Sequence, residues 1–336
     1  MLTRRHFLEA AAAAPLGFSS AALGSPSAQV DQIPDLAGQL GLVSASLSRH
    51  FSERPSEKRF SLLDFPRVLR DELDLTVADL NTMNFPSLAP AYAEKLRTAL
   101  DNAGCIATNL KMNQKVDLAS EDAAERAEAM RVYKTSIDAA QILGCHWARP
   151  LPRAVSPHRG RLLEAFDELI DYAGERGVTI LIENFGWMAD KPDSVVDLAD
   201  AIGADRVAVG PDTGNWNSNA IRYPALETTF PRAVTCDFKA KTLGPNGEHE
   251  AYDLERCFEI GWEAGFRGPW CFEHGHADRD VAFRGIAFLR DSLRTWMKEP
   301  QPKVSRQNIR HNVAVNVGQA KVPARITKGE FLVVES

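Results

Sequence analysis

Between Gly38 and Met297 short apolar runs alternate with longer amphipathic stretches. The runs are "GLVSASL" at 41–47, "LDLTVADL" at 73–80, "CIATNL" at 105–110 and "HWARP" at 146–150. Four more follow, "VTILIEN" at 178–184, "RVAVGPD" at 206–212, "AVTCDFK" at 233–239 and "PWCFEH" at 269–274. Each has the length of a buried strand, and stretches such as "EDAAERAEAMRVYKTSIDAAQIL" between them place apolar residues three and four apart, as a helix does. Eight strand–helix units in about 260 residues predict an α/β fold of the (β/α)8 TIM-barrel type, whose usual size is about 250 residues. A doubly wound sheet is the alternative. It is disfavoured because no glycine-rich phosphate loop follows the first strand.

The strands end on polar side chains. Asp79 and Asn81 close the second, Asn109 and Lys111 the third, and Arg149 the fourth. Glu183, Asp212, Asp237 with Lys239, and Glu273 close the fifth to eighth. In a TIM barrel these ends converge on one face, where active sites are built. A single acid there reads as a helix cap, whereas four from four neighbouring strands point to a shared pocket. Carboxylates crowded together repel one another, so some are protonated or a cation sits among them. The oxygen-rich set suits Mn²⁺ or Mg²⁺ better than Zn²⁺.

Composition narrows the partners. The chain is 44% hydrophobic and 25% charged with a net charge of −6, which argues against nucleic acid and acidic membranes. The five cysteines, Cys105, Cys145, Cys236, Cys257 and Cys271, contain no CxxC pair and predict neither a disulfide framework nor a thiolate metal site. At the amino end "TRRHFLEAAAAAPLGFSSAALGSPSAQ" sets Arg4 and Arg5 before a modest alanine-rich run. Residues 1–30 read as a twin-arginine signal peptide, implying a periplasmic or otherwise exported protein without stable membrane insertion. Residues 38–297 read as the barrel, and residues 298–336 as a basic tail or small hairpin to which no chemistry is assigned.

The motifs "LIENFG", "GPDTGNW", "DFKAKTLGPNGE" and "AGFRGPWCFEHG" resemble strands five to eight of the xylose-isomerase-like sugar isomerase/epimerase superfamily. "TNLKMNQKVDLASEDAAERAEAM" resembles its third strand and the helix after it. The resemblance implies one divalent metal held from four strands, with Glu183, Asp212 and Glu273 at matching positions. The fourth position departs: the family's usual His-x-Lys reads Asp237-Phe238-Lys239, and Phe185 stands where many relatives carry a histidine. It further implies that Glu183 and Glu273 handle protons and that Asn215 and Trp216 line the sugar pocket after a tight turn at Gly214. Lys239, Arg149 and Lys111 are candidates for binding substrate, while Lys241, His249, His274 and His276 carry weaker signals.

The expected function is a metal-dependent sugar isomerase or epimerase acting by proton transfer next to a carbonyl, with the metal polarising substrate oxygens as an enediolate develops. Export favours an unphosphorylated sugar or sugar derivative. A lyase or dehydratase on an oxidised sugar or glycoside and a non-catalytic periplasmic carbohydrate-binding barrel are the alternatives. Homo-oligomerisation stays open.

Overall fold

A computed structural model of the chain describes residues 36–151 and 157–298. The signal-peptide reading of residues 1–30, and the tail or hairpin reading beyond Lys298, lie outside the described residues. Eight strands run in chain order: β1 (Leu40–Val43), β2 (Val77–Asn81), β3 (Ile106–Met112), β4 (Trp147–Pro150), β5 (Thr179–Ile182), β6 (Ala208–Val209), β7 (Cys236–Lys239) and β8 (Trp270–Glu273). Helices follow them: α1 (Phe65–Asp71), α2 (Pro90–Ala103), α3 (Ala123–Leu143), α4 (Arg159–Gly174), α5 (Ser194–Ile202), α6 (Asn219–Thr229), α7 (Leu254–Glu263) and α8 (Arg279–Trp296).

Every strand pair is parallel, in the order β6-β5-β4-β3-β2-β1-β8-β7. Isolated bridges at Val209–Ala233 and Asp212–Asp237 join the two ends, so the sheet closes into a (β/α)8 TIM barrel. Helix ends are set by local chemistry. Asp122 accepts a bond from the Ala124 amide at the start of α3, and Gly144 ends it in the left-handed conformation.

The side-chain period of two explains how burial and charge coexist. Residues of one parity face the helices, among them Ala78, Leu80, Ala148, Ile180, Ile182, Phe238 and Phe272, and they join the main core. The other parity fills the barrel. Its floor is a separate apolar cluster containing Val43, Val77, Trp147, Leu181, Ala208 and Cys271. Two residues further along four of those strands the inward position becomes Asp79, Arg149, Glu183 or Glu273, so one stripe climbs from an apolar floor to a charged mouth.

Three strand boundaries differ from the expectation. β1 stops at Val43 because Ser44 turns into a 3-10 segment, where its hydroxyl accepts from the Asn81 amide and donates to Asn84 Oδ1, each at 2.8 Å. Leu73 and Leu75 are buried but belong to the exit from α1. Their amides bond back to Val68 and Leu69, and Asp74 between them has φ +52°. β6 keeps only two ladder residues, because Pro211 has no amide hydrogen to donate. Pairing resumes at Asp212.

The five cysteines are buried and free, as small apolar residues would be. Among the described residues no helix is long and apolar enough to cross a membrane.

Candidate active site

Four strands deliver carboxylates to the carboxyl end of the barrel. Ligand oxygens of Glu183, Asp212 and Asp237 lie within 4.8 Å of one another, and all three residues are buried. The bridge between Asp212 and Asp237 makes them direct neighbours across β6 and β7. Asp212 is fixed by its surroundings: Oδ1 accepts from the Gly214 amide at 2.6 Å and the Asn215 amide at 3.1 Å. Asn184 locks the backbone at the same point, donating to the Asp212 carbonyl and accepting from its amide.

Glu273 joins the group through Lys239 rather than directly. Lys239 Nζ lies 2.6 Å from Glu273 Oε1, 3.3 Å from Asp212 Oδ2 and 3.0 Å from Asn215 Oδ1. The Glu273 side chain keeps 26% of its surface, against 4% for Glu183, so it is the carboxylate nearest the open mouth. Gly214 earns its place by close approach and not by left-handed geometry: a Cβ there would come within 2.6 Å of Lys239 Cδ and Tyr252 Oη.

Two more cations enter from the far side of the barrel. Lys111, on β3, is fully buried and reaches Glu183 Oε2 at 2.6 Å, the Asp237 carboxylate, and Asp79 Oδ2 at 3.8 Å. Arg149 Nε donates to Glu183 Oε2 at 3.1 Å, while its Nη1 is buried without an acceptor among the described residues. The structure therefore places Lys111 as a counter-ion inside the cluster, and Arg149 takes up the bridge to a neighbouring carboxylate.

The other candidates separate cleanly. Asn215 is tied inward to Lys239 and to the Asn184 carbonyl. Trp216 is buried in the main core, its carbonyl held by Arg222 at 2.9 Å. Phe185 and Lys241 are exposed. His274 is buried, with Nδ1 against the Ala240 carbonyl, and His249 packs on Tyr252.

Sequence reasoning assigned no role to Asp79, Asn184, Arg222 or Tyr252. Asp79 lies under Lys111 and takes Asn109 Nδ2 at 3.3 Å. Arg222 stacks 3.9 Å over Tyr252, while the Tyr252 hydroxyl donates to the Lys239 carbonyl at 2.5 Å. For Asn184 the adjacent Glu183 was a usable signal. For Asp79 its place at the end of the second strand was the signal, and for Arg222 and Tyr252 the sequence offers none.

The electrostatics follow from who shares which cation. Burial pushes Glu183 up, but Arg149 and Lys111 together outweigh it and hold the carboxyl down at about 2. Burial raises Asp237 well above the ordinary carboxylate range, since the one cation reaching it, Lys111, is shared. Burial likewise lifts Asp79 and Asp212 to about 6, against the pull of Lys111 and Lys239 respectively. Burial disfavours charge on Lys239 too, yet Asp212 and Glu273 prevail and its pKa is raised.

A pH prediction follows. Between 3.8 and about 6 the folded protein keeps protons on Asp79 and Asp212 that the unfolded chain has shed, so stability is lost as pH rises through that window. Glu183 acts oppositely, its stabilisation being lost as pH falls from 4.5 toward about 2. Thermal melts of metal-free protein in chelator should therefore peak in stability near pH 4 and decline toward pH 6. A melting temperature rising steadily across that range would show that the buried aspartates stay ionised.

The donor set fits a divalent cation. Five carboxylates (Asp79, Glu183, Asp212, Asp237, Glu273) face three cations (Lys111, Arg149, Lys239), leaving a formal excess of two negative charges. All candidate ligands are oxygens.

Residues 72–292 match the xylose isomerase-like TIM barrel family. The chain belongs to that family.

Among its relatives, the L-ribulose-5-phosphate 3-epimerase UlaE of Salmonella typhi is 24% identical over 255 residues, covering 71% of this chain and 86% of that protein. D-psicose 3-epimerase from Clostridium cellulolyticum H10, solved with D-tagatose, superposes with a TM-score of 0.62 at 14% identity, covering 78% of this chain and all of that one. A xylose isomerase-like TIM-barrel protein of Mycobacterium smegmatis, solved in complex with magnesium, gives 0.55 at 18% identity over 77% of this chain and 97% of its own. Two of these three relatives are named as sugar epimerases, and the structural likeness extends over three quarters of this chain.

Proposed function

We propose that the protein is a metal-dependent sugar isomerase or epimerase that moves a proton next to a carbonyl of an unphosphorylated sugar or sugar derivative. The observation carrying this reading is the convergence of Glu183, Asp212 and Asp237 within 4.8 Å, with Glu273 linked through Lys239, in a chain whose relatives are epimerases. Glu183, Asp212, Asp237 and Glu273 would hold one divalent cation, Mn²⁺ or Mg²⁺ by their chemistry, and that ion would supply Lewis acidity toward the carbonyl and hydroxyl oxygens.

The chain's own residues set the proton chemistry. Glu273 is the exposed carboxylate and removes the proton; Glu183 lies across the cluster and returns it on the other side. Lys239 grips Glu273 at 2.6 Å and so fixes where its carboxylate stands beside the cluster. The buried Nη1 of Arg149 is a donor still open to a substrate oxygen. Lys111, Arg149 and Lys239 are each engaged with carboxylates, which favours a substrate without a phosphate to neutralise.

Solvent-deuterium exchange on a panel of aldoses, ketoses and oxidised sugars, with Mn²⁺ added, tests the reading. Exchange next to the carbonyl of an unphosphorylated sugar supports it. Elimination products would favour the lyase alternative, and sugar binding without exchange the carbohydrate-binding barrel.

Arg4 and Arg5 with the following alanine-rich run support export by the twin-arginine route. Replacing both with lysine should retain the precursor in the cytoplasm of the expressing cell, as scored by cell fractionation. Unchanged periplasmic recovery would remove export, and with it one argument against phosphorylated substrates.

A further inference from the structure

Lys111 and Asp237 come from strands diametrically opposed in the barrel, β3 and β7, and meet inside it. The lysine is buried and touches carboxylates from three strands: Asp79 on β2, Glu183 after β5 and Asp237 on β7. Arg149 is the other cation on this side, bonded to the same Glu183 oxygen. An ammonium in that position is shielded from bulk solvent, so its charge depends on the acids around it.

Distance, not charge alone, picks its partner: Asp79 also faces only Lys111 but stands off at 3.8 Å, whereas the Asp237 carboxylate is hydrogen-bonded to it. Glu183 has Arg149 as a second cation and Asp212 has Lys239, whereas Asp237 has Lys111. Removing Asp237 and Lys111 together leaves four carboxylates and two cations, still an excess of two. The pair is therefore electrically silent. The charge available to a divalent ion is the same with it or without it.

We propose that Lys111 is the compensating partner of Asp237, a tethered monovalent cation that shares the carboxylate cage with the divalent ion and limits how tightly that ion is held. The assignment rests on the reading that a divalent cation binds here. It makes Lys111 a positioning residue that acts through Asp237 and Glu183, rather than a substrate contact. It also accounts for an aspartate at a metal position without a gain in net negative charge.

Calorimetric titration with Mn²⁺ at about pH 8, where exposed carboxylates are ionised, tests the idea alongside thermal melts in chelator. Lys111→Met removes a positive charge a few ångströms from the ion and should tighten Mn²⁺ binding by about tenfold or more. The same variant should melt below wild type without metal, because Asp237 is left buried and unpaired. Lys111→Met/Asp237→Asn should recover most of that loss.

Unchanged or weaker Mn²⁺ binding in Lys111→Met overturns the assignment, while wild-type binding in that experiment leaves the metal reading intact. A double variant that melts no higher than the single one also overturns it. If neither wild type nor Lys111→Met binds Mn²⁺, the inference and the metal part of the proposed function fall together. Should Lys111→Met not fold, the comparison becomes Lys111→Met/Asp237→Asn against Asp237→Asn. The double variant should then bind about tenfold more tightly, and equal affinities overturn the proposal.

Discussion

Glu183→Gln and Glu273→Gln should each lower turnover by about a hundredfold or more while leaving the fold intact, because a neutral amide neither takes nor returns a proton. The two losses should differ in kind. Glu273 is the least buried of the four acids, with Lys239 as its one ion-pair partner among the described residues, so its amide disturbs little else. Glu183 pairs with both Lys111 and Arg149; Lys111 keeps Asp237, but neutralising Glu183 leaves buried Arg149 without a carboxylate among the described residues and should also lower the melting temperature. Solvent-deuterium exchange and circular dichroism on the same preparations separate the effects. Near-full exchange in either variant would reduce that glutamate to a ligand or bystander, and the two-glutamate proton transfer would be wrong.

The second large effect concerns the metal. Mn²⁺ at a hundredfold excess over its dissociation constant should contribute about 2.7 kcal/mol to stability, a rise of roughly 5–10 °C in melting temperature. The gain should be largest above pH 6, where the metal-free protein has most negative charge to neutralise. Asp212→Asn should abolish most of the shift, since Asp212 is the acid held at two backbone amides beside the cluster. Asp237→His combined with Lys111→Met exchanges one neutral pair for another and should move preference toward Zn²⁺ or Co²⁺ with one ion per chain. If wild type shows neither a thermal shift nor calorimetric binding with Mn²⁺ or Mg²⁺, the site holds no such metal, and the carbohydrate-binding alternative becomes the better account.

The barrel was legible because a buried parallel strand must be continuously apolar and an acid at its end interrupts that run visibly. Glu183, Asp212, Asp237 and Glu273 each stand out in this way. Strand limits were less legible. Ser44 ends β1 through its side-chain bonds to Asn81 and Asn84, and Leu73 and Leu75 are as apolar as any strand residue.

What lay beyond reach were contacts across the lumen. Lys111 and Asp237 are 126 positions apart, and only the closed ring of strands brings them together. The burial of Trp216 was equally out of reach: its place after Asn215 gave no sign that Arg222 would hold its carbonyl and that the indole would join the core.

The closure between β6 and β7 has a mechanical meaning. Every other junction in the ring is a ladder of at least two consecutive pairs, whereas this one is stitched at Val209–Ala233 and Asp212–Asp237. One of its two stitches is the pair of acids itself, repelling each other wherever both are ionised. Hydrogen exchange at the amides of Val234, Asp237 and Thr213, which cross this seam, would show whether it opens before the continuous ladders do. A divalent ion held by Asp212 and Asp237 would be a rivet through that seam, tying together two strands that otherwise meet at separate bridges.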